Sequence, residues 1–234
     1  MIVVTVNFDK NISDFENMIR VWKRTARKYM PDATIKVLEI PAPEKIKRSC
    51  DKYMAYSSTY AFVEMAKWVL QQNDNAIITD ADIMFLGDCS SVFKNEFDIA
   101  CTIREGRCFV NAGVLFYRNT KKGRLLLNKI ISMSESIYKN PEMFKNILKR
   151  YLGADQAAVS ILAKQDKILK LPCEIWNSEQ HSWDKFSKET KIVHMKSSLW
   201  DLAHKEKPRI EFYKNHNVYK IFEIWKSFLK AGEW

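Results

Sequence analysis

Two aspartates one residue apart, Asp80 and Asp82, follow a run of β-prone residues, Ala76-Ile77-Ile78-Thr79, and precede a second apolar run, Ile83-Met84-Phe85. Apolar flanks on both sides argue against a chance cluster of surface acids. An unpaired carboxylate in a low-dielectric site costs several kcal/mol or takes up a proton. Two at one strand end therefore need a counter-charge. A divalent cation is the simplest, because an ion held by protein oxygens on one side keeps its other side for phosphate. The pattern points to a metal–diphosphate site.

Such a pair needs a scaffold that ends a buried strand beside a ligand. Residues 1–6 read as a first strand. Residues 11–30 read as a helix with Ile12, Phe15, Ile19, Trp22 and Ala26 on one face, stopped by Pro31. A second strand over 34–40 closes at Pro41 and Pro43, and a helix over 51–72 carries Met54, Ala61, Met65, Trp68 and Val69 inward. The third strand, 76–79, delivers the aspartates. This β-α-β-α-β order predicts a parallel sheet with right-handed crossovers, whose ligands gather beyond the carboxyl ends of its strands. Strands over 97–103 and 109–118 have no long helix between them, so antiparallel or mixed pairing is expected there. Helices are expected over 120–138, 141–151 and 155–164, short strands over 168–171 and 191–195, and an amphipathic helix over 212–230. No boundary divides the 234 residues, so one domain is expected.

Five cysteines without a CxxC pair argue against a disulfide framework or a cysteine-built zinc site. They read as reduced thiols of a cytoplasmic protein. No apolar run approaches the roughly 20 residues of a membrane span. The net charge of +10 is uneven: residues 120–150 carry +6, residues 185–234 carry +5, and the remainder is close to neutral. Such local excess favours anionic partners, although a solvated lysine-rich surface accounts for the same charge. Basic residues Lys214, Lys220, Lys226 and Lys230 flank the apolar face of the last helix. Peripheral membrane contact is thus an expectation beside ordinary docking. No nucleic-acid partner is expected.

Four segments in order give the chain a family likeness: Ile77-Ile78-Thr79-Asp80-Ala81-Asp82, Val110-Asn111-Ala112-Gly113-Val114-Leu115, Gly153-Ala154-Asp155-Gln156-Ala157-Ala158 and Ile192-Val193-His194-Met195-Lys196. The chain resembles the GT-A fold glycosyltransferases that use nucleotide-sugar donors, and within them the glycogenin-like group, family eight. The resemblance implies an α/β fold with a Rossmann-like mixed sheet flanked by helices and a small second antiparallel sheet. It implies transfer of a sugar from a nucleoside diphosphate, UDP first, to a hydroxyl on a glycan, lipid-linked or protein acceptor. Asp80, Ala81 and Asp82 would lie in the donor site, and Asp80, Asp82 and His194 would ligate the metal. One imidazole among oxygens suits manganese better than calcium, with magnesium as the other candidate.

The resemblance also places Asn111 on a sugar hydroxyl, Asp155 on donor-sugar hydroxyls and Gln156 near the anomeric carbon, which points towards retention of configuration. Read without it, Gly113 marks a bulge and Asp155 an N-cap. Where the family has a glycine and a lysine, three and six residues after the histidine, this chain carries Ser197 and Trp200. Lys196, Lys205 and Lys207 are then the candidates for the phosphate-binding cation, in that order. Thr5 and Asn7 end the first strand where the family binds base and ribose. Lys52, with Arg48 as its competitor, would reach the phosphate or base, and Asn177 would lie in a donor or acceptor loop. Two other functions use similar residues. A haloacid dehalogenase-like phosphatase also carries an Asp-x-Asp, though on its first strand. A basic, non-catalytic interaction protein could share the transferase fold.

Overall fold

The computed structural model describes residues 1–8, 15–41, 54–104, 109–151, 153–165, 168–196 and 216–231. Its main sheet has six strands: β1 (Ile2–Phe8), β2 (Thr34–Ile40), β3 (Ala76–Thr79), β5 (Ile99–Ile103), β6 (Val110–Tyr117) and β7 (Leu169–Pro172), in the order β2-β1-β3-β6-β5-β7. β1 pairs in parallel with β2 and β3, and β5 with β7. β6 alone runs the other way, antiparallel to β3 and β5. The parallel first half and the mixed second half follow the order of elements read from the sequence. β4 (Ile83–Phe85) and β8 (Ile192–His194) form a separate two-stranded antiparallel sheet.

Alternation along the strands sorts the core. Ile2, Val4 and Val6 of β1, with Ala76 and Ile78 of β3, face the layer built from α2 (Met54–Gln71), α3 (Lys121–Lys139) and α5 (Ala154–Lys164). Val3 and Ile77 face the opposite layer, where Trp22 and Ala26 of α1 (Phe15–Tyr29) meet Ile83, Phe85 and Ile192 of the small sheet. Strands buried on both faces read as unbroken apolar runs, as β1 and β3 do. α1 ends at Tyr29, two residues before Pro31, which cannot continue it. Thr120 starts α3 by accepting a hydrogen bond from the Gly123 N–H at 2.8 Å. α4 (Lys145–Tyr151) packs on α5. α6 (Cys173–Trp176) follows β7, and α7 (His216–Lys230) packs Val218, Ile221 and Trp225 against Met18 and Val21 of α1.

The sequence reading did not anticipate β4 or α6. Each is only three or four residues long, too short for a period to show. Cys89, Cys101 and Cys173 are free and buried, and burial pushes the thiols of Cys101 and Cys173 up to about 12. Among the described residues no helix is long and apolar enough to cross a membrane.

Candidate metal centre and active site

Asp80, Ala81 and Asp82 are the three residues that carry the chain from the main sheet at Thr79 to the small sheet at Ile83. Two backbone hydrogen bonds pin this connection. The Asp80 N–H donates to the Gly113 carbonyl at 2.9 Å, and the Met195 N–H donates to the Asp82 carbonyl at 2.8 Å. Pairing of β4 with β8 sets His194 opposite Ile83, beside both aspartates. His194 Nε2 lies 3.1 Å from Asp82 Oδ1 and 3.5 Å from Asp80 Oδ2. The three side chains offer ligand atoms that all lie within 4.8 Å of one another.

The imidazole is oriented from behind. Asn177 donates its amide N–H to Thr102 Oγ1 at 3.0 Å, which turns its Oδ1 towards His194 Nδ1, 3.1 Å away. Thr102 in turn donates to the Asn111 carbonyl at 2.9 Å. This network assigns the ring proton to Nδ1 and leaves the lone pair on Nε2. Nε2 is buried and has no hydrogen-bond partner. A lone pair facing two carboxylate oxygens at such distances is repulsive unless a cation or a proton stands among them. Metal bonds of about 2.0–2.2 Å set neighbouring donor atoms about 3 Å apart, so the cluster fits a divalent ion.

The electrostatics express the same need. Burial pushes the Asp80 carboxyl above its ordinary range, and the charge of Asp82 adds to this against the opposing pull of His194 and Lys196. At Asp82 burial also raises, but the neighbouring His194 and Lys196 outweigh it and hold the carboxyl below the usual range. Lys196 thus acts on both carboxylates.

Gly113 makes the close packing possible. A Cβ there would sit 2.4 Å from His194 Cε1 and 2.8 Å from both Asp80 Oδ2 and His194 Nδ1. The β5–β6 register shifts between Cys101 and Thr102, so the bulge expected around Gly113 is present. Asn111, on the same bulge, is buried. Its Oδ1 accepts from the Gly113 N–H at 3.0 Å, while its Nδ2 has no partner.

Asp155 and Gln156 lie in the first turn of α5. Asp155 is not the N-cap, as the sequence alone suggested. Gly153 holds that place without a side-chain bond, and Thr59 of α2 satisfies the helix start from outside. The Thr59 hydroxyl oxygen lies 3.2 Å from the Ala154 N–H, and the hydroxyl donates to Asp155 Oδ1 at 2.6 Å. Burial raises the Asp155 carboxyl above its usual range. The Thr59 bond opposes this, and the charge of Asp80 adds to it. A raised carboxyl costs stability as pH climbs from the ordinary carboxylate value through the folded value, and the full cost remains at neutral pH. Asp155→Asn, which keeps an acceptor for Thr59, is therefore expected to melt ~2–4 °C higher at neutral pH. The gain should vanish under acidic conditions where Asp155 is protonated in both states. A melting temperature unchanged at neutral pH would remove this account of Asp155.

The remaining expected site residues are placed differently. Thr5 is fully buried, and its hydroxyl donates to the Thr79 carbonyl at 2.9 Å, tying β1 to the strand that carries the aspartates. Asn7 donates to Glu39 at 3.0 Å. Gln156 donates its amide to the Tyr151 carbonyl. Asn177, which the resemblance placed in a donor or acceptor loop, orients His194. Lys52, Arg48, Lys205, Lys207, Ser197 and Trp200 lie outside the described residues. Thr59, Thr102 and the partly buried Arg104–Glu179 ion pair were not singled out in the sequence. The polar run Ser57-Ser58-Thr59 within an otherwise apolar stretch was the one available signal for Thr59.

No protein-family model matches the chain, and no curated protein matches it. Solved structures do. A glycosyltransferase involved in glycosylation of the major capsid of PBCV-1 aligns with a TM-score of 0.60 at 11% identity, covering 86% of this chain and 95% of that one. The galactosyltransferase LgtC, in complex with donor and acceptor sugar analogues, aligns at 0.58 and 13% identity over 100% and 98%. The glycosyltransferase GlyE of Streptococcus pneumoniae TIGR4 aligns at 0.55 and 17% identity, covering 99% of this chain and 60% of that one. The fold is therefore a GT-A-type glycosyltransferase fold: a mostly parallel central sheet flanked by helices, with a small second antiparallel sheet.

Proposed function

We propose that the protein is a metal-dependent glycosyltransferase that moves a sugar from a nucleoside diphosphate, UDP first, to a hydroxyl acceptor. The observation that carries this reading is the buried Nε2 of His194. It has no hydrogen-bond partner and faces Asp80 and Asp82 at the carboxyl end of a central strand. Asp80, Asp82 and His194 would hold the ion, and their mixed oxygen and nitrogen donors favour manganese, with magnesium as the competitor. When bound, such an ion neutralises the diphosphate leaving group as a Lewis acid.

The chain's own residues account for the rest. Asn177 and Thr102 keep His194 in the ligating tautomer. Lys196 brings a positive charge to the two carboxylates, where a diphosphate would also meet it. Asp155 accepts hydrogen bonds from donor-sugar hydroxyls at the start of α5, and the unpartnered Nδ2 of Asn111 donates one. The match of Asp155-Gln156 to the family segment supports retention. We assign this site to family-eight-like chemistry on the four segments quoted above. The Asp-x-Asp follows the third strand and shares an imidazole, which favours this reading over a dehalogenase-like phosphatase.

Heat denaturation with UDP tests the assignment. Near one hundred times its dissociation constant, a ligand adds about 2.7 kcal/mol to stability. For a chain of this size that is roughly 5–10 °C in Tm. Protection is expected with UDP and manganese together and should fall away when EDTA replaces the metal. UDP protection indifferent to the chelator would overturn the metal–diphosphate site. Protection without cleavage of any UDP-sugar would favour a non-catalytic binding protein on the same fold.

A further inference from the structure

A cavity of about 820 Å³ lies between α1 and the end of α7, and shares no lining residue with the Asp80–Asp82–His194 cluster. Five of its lining residues are cations: Arg20, Lys23, Arg24, Arg27 and Lys28. They fall at i, i+3, i+4, i+7 and i+8 along α1, so they form one face of that helix. Like charges at this spacing repel and weaken a helix by a few tenths of a kcal/mol per pair. Among the described residues no carboxylate lies within ion-pair distance of any of the five. Their opposition has only partial relief. Arg24 Nη1 donates to the Phe228 and Leu229 carbonyls at 2.6 and 2.9 Å, capping the end of α7. Lys28 Nζ stands 5.0 Å from the Phe228 ring centroid. Among the described residues, Arg20, Lys23 and Arg27 have neither kind of partner.

We propose that this groove is a second anion site, which binds a clustered phosphate group without a metal. A face of five cations that costs its own helix stability is a local conflict of the kind found at functional positions. The Arg guanidinium forks suit phosphate oxygens, and Ser227 adds a hydroxyl to the lining. Phe228 and Ala231 give the groove an apolar floor. The phosphate comes either from a lipid head group or from a soluble phosphorylated compound.

The test uses the full chain in EDTA, which removes any contribution of the metal centre. Inorganic tripolyphosphate is titrated calorimetrically into wild type and into the triple variant Arg20→Gln, Lys23→Gln, Arg27→Gln. Arg24 is left in place because it holds α7. A control variant, Lys121→Gln, Lys129→Gln, Lys145→Gln, removes the same charge from the exposed faces of α3 and α4. The groove variant is expected to lose about tenfold or more in affinity, and the control less than about threefold. Asp82→Asn should bind tripolyphosphate as wild type does, so failure of the metal-centre reading and failure of this one are separable. Sedimentation with phosphatidylcholine vesicles, with and without phosphatidylserine, identifies the source. Groove-dependent binding to the anionic vesicles assigns the lipid head group, and tripolyphosphate binding without it assigns a soluble phosphate. Equal losses in the groove and control variants, or no binding by wild type, overturn the site.

Discussion

Asp82→Asn is expected to lower metal-dependent cleavage of a UDP-sugar by about three orders of magnitude, with Tm within ~3 °C of wild type. Asp82 Oδ1 is the carboxylate oxygen nearest His194 Nε2, at 3.1 Å. An amide in its place keeps the shape but offers a neutral oxygen, which leaves Asp80 and His194 to hold a doubly charged ion. Two changes in stability oppose each other. The variant loses the attraction that holds the Asp82 carboxyl low, a contribution present above the ordinary carboxylate range and lost as pH falls through the depressed value. It also removes the charge that raises Asp80. The backbone hold on Asp82, from Met195, does not involve the side chain. Steady-state cleavage of the donor with manganese, read beside a melting curve, checks both halves. Undiminished turnover in a folded variant would sink the assignment of Asp82 as a ligand.

Gly113→Ala is expected to damage both the site and the fold, for reasons of space. The added Cβ would meet His194 Cε1 at 2.4 Å and Asp80 Oδ2 at 2.8 Å. His194 is fully buried and held by Asn177, so it has no open direction in which to move. The Asp80 backbone is bonded to Gly113 itself. The clash therefore falls on rigid groups, and overpacking of this kind costs about 1–3 kcal/mol, or roughly 3–10 °C of Tm. Manganese affinity, followed by the electron paramagnetic resonance of the free ion, should fall by about tenfold or more. Gly87→Ala is a built-in comparison. Its Cβ would meet Lys191 Cδ at 2.7 Å, part of a flexible side chain that can swing away, so little change is expected. Wild-type melting and manganese affinity in Gly113→Ala would show that the close approach is not needed.

The two variants probe features of different legibility. Asp82 stood out because its neighbours Ile78, Thr79, Ile83 and Met84 leave no surface on which an acid would be solvated. Gly113 was noticed too, but as a bulge. Its closeness to His194 arises from two sheets that meet only in the folded chain. The same holds for Thr59, which reaches Asp155 across 96 residues, and for Asn177, which needs Thr102 across 75 residues to set its amide. Thr5 shows the converse. Its place at the end of β1 suggested a nucleotide contact, but pairing of β1 with β3 brings Thr79 within its reach and the hydroxyl is used there. The basic face of α1 was hidden by its setting: segment charges summed over residues outside 120–150 and 185–234 nearly cancel, although five cations share one side of a helix.

Local chemistry was enough to specify the buried strands, the order of the α/β elements and the paired aspartates, because apolar periodicity and the cost of a buried charge act within a few residues. Which groups face those aspartates is a different kind of information. β4 and β8 are three residues each and meet across more than a hundred residues; β8 lies within a strand expected from the sequence, but its partner β4 does not show there. That pairing, and not any property of the local segments, carries His194 to the metal ligands. It also leaves Asn177 and Gly113 as the residues that hold the imidazole in place.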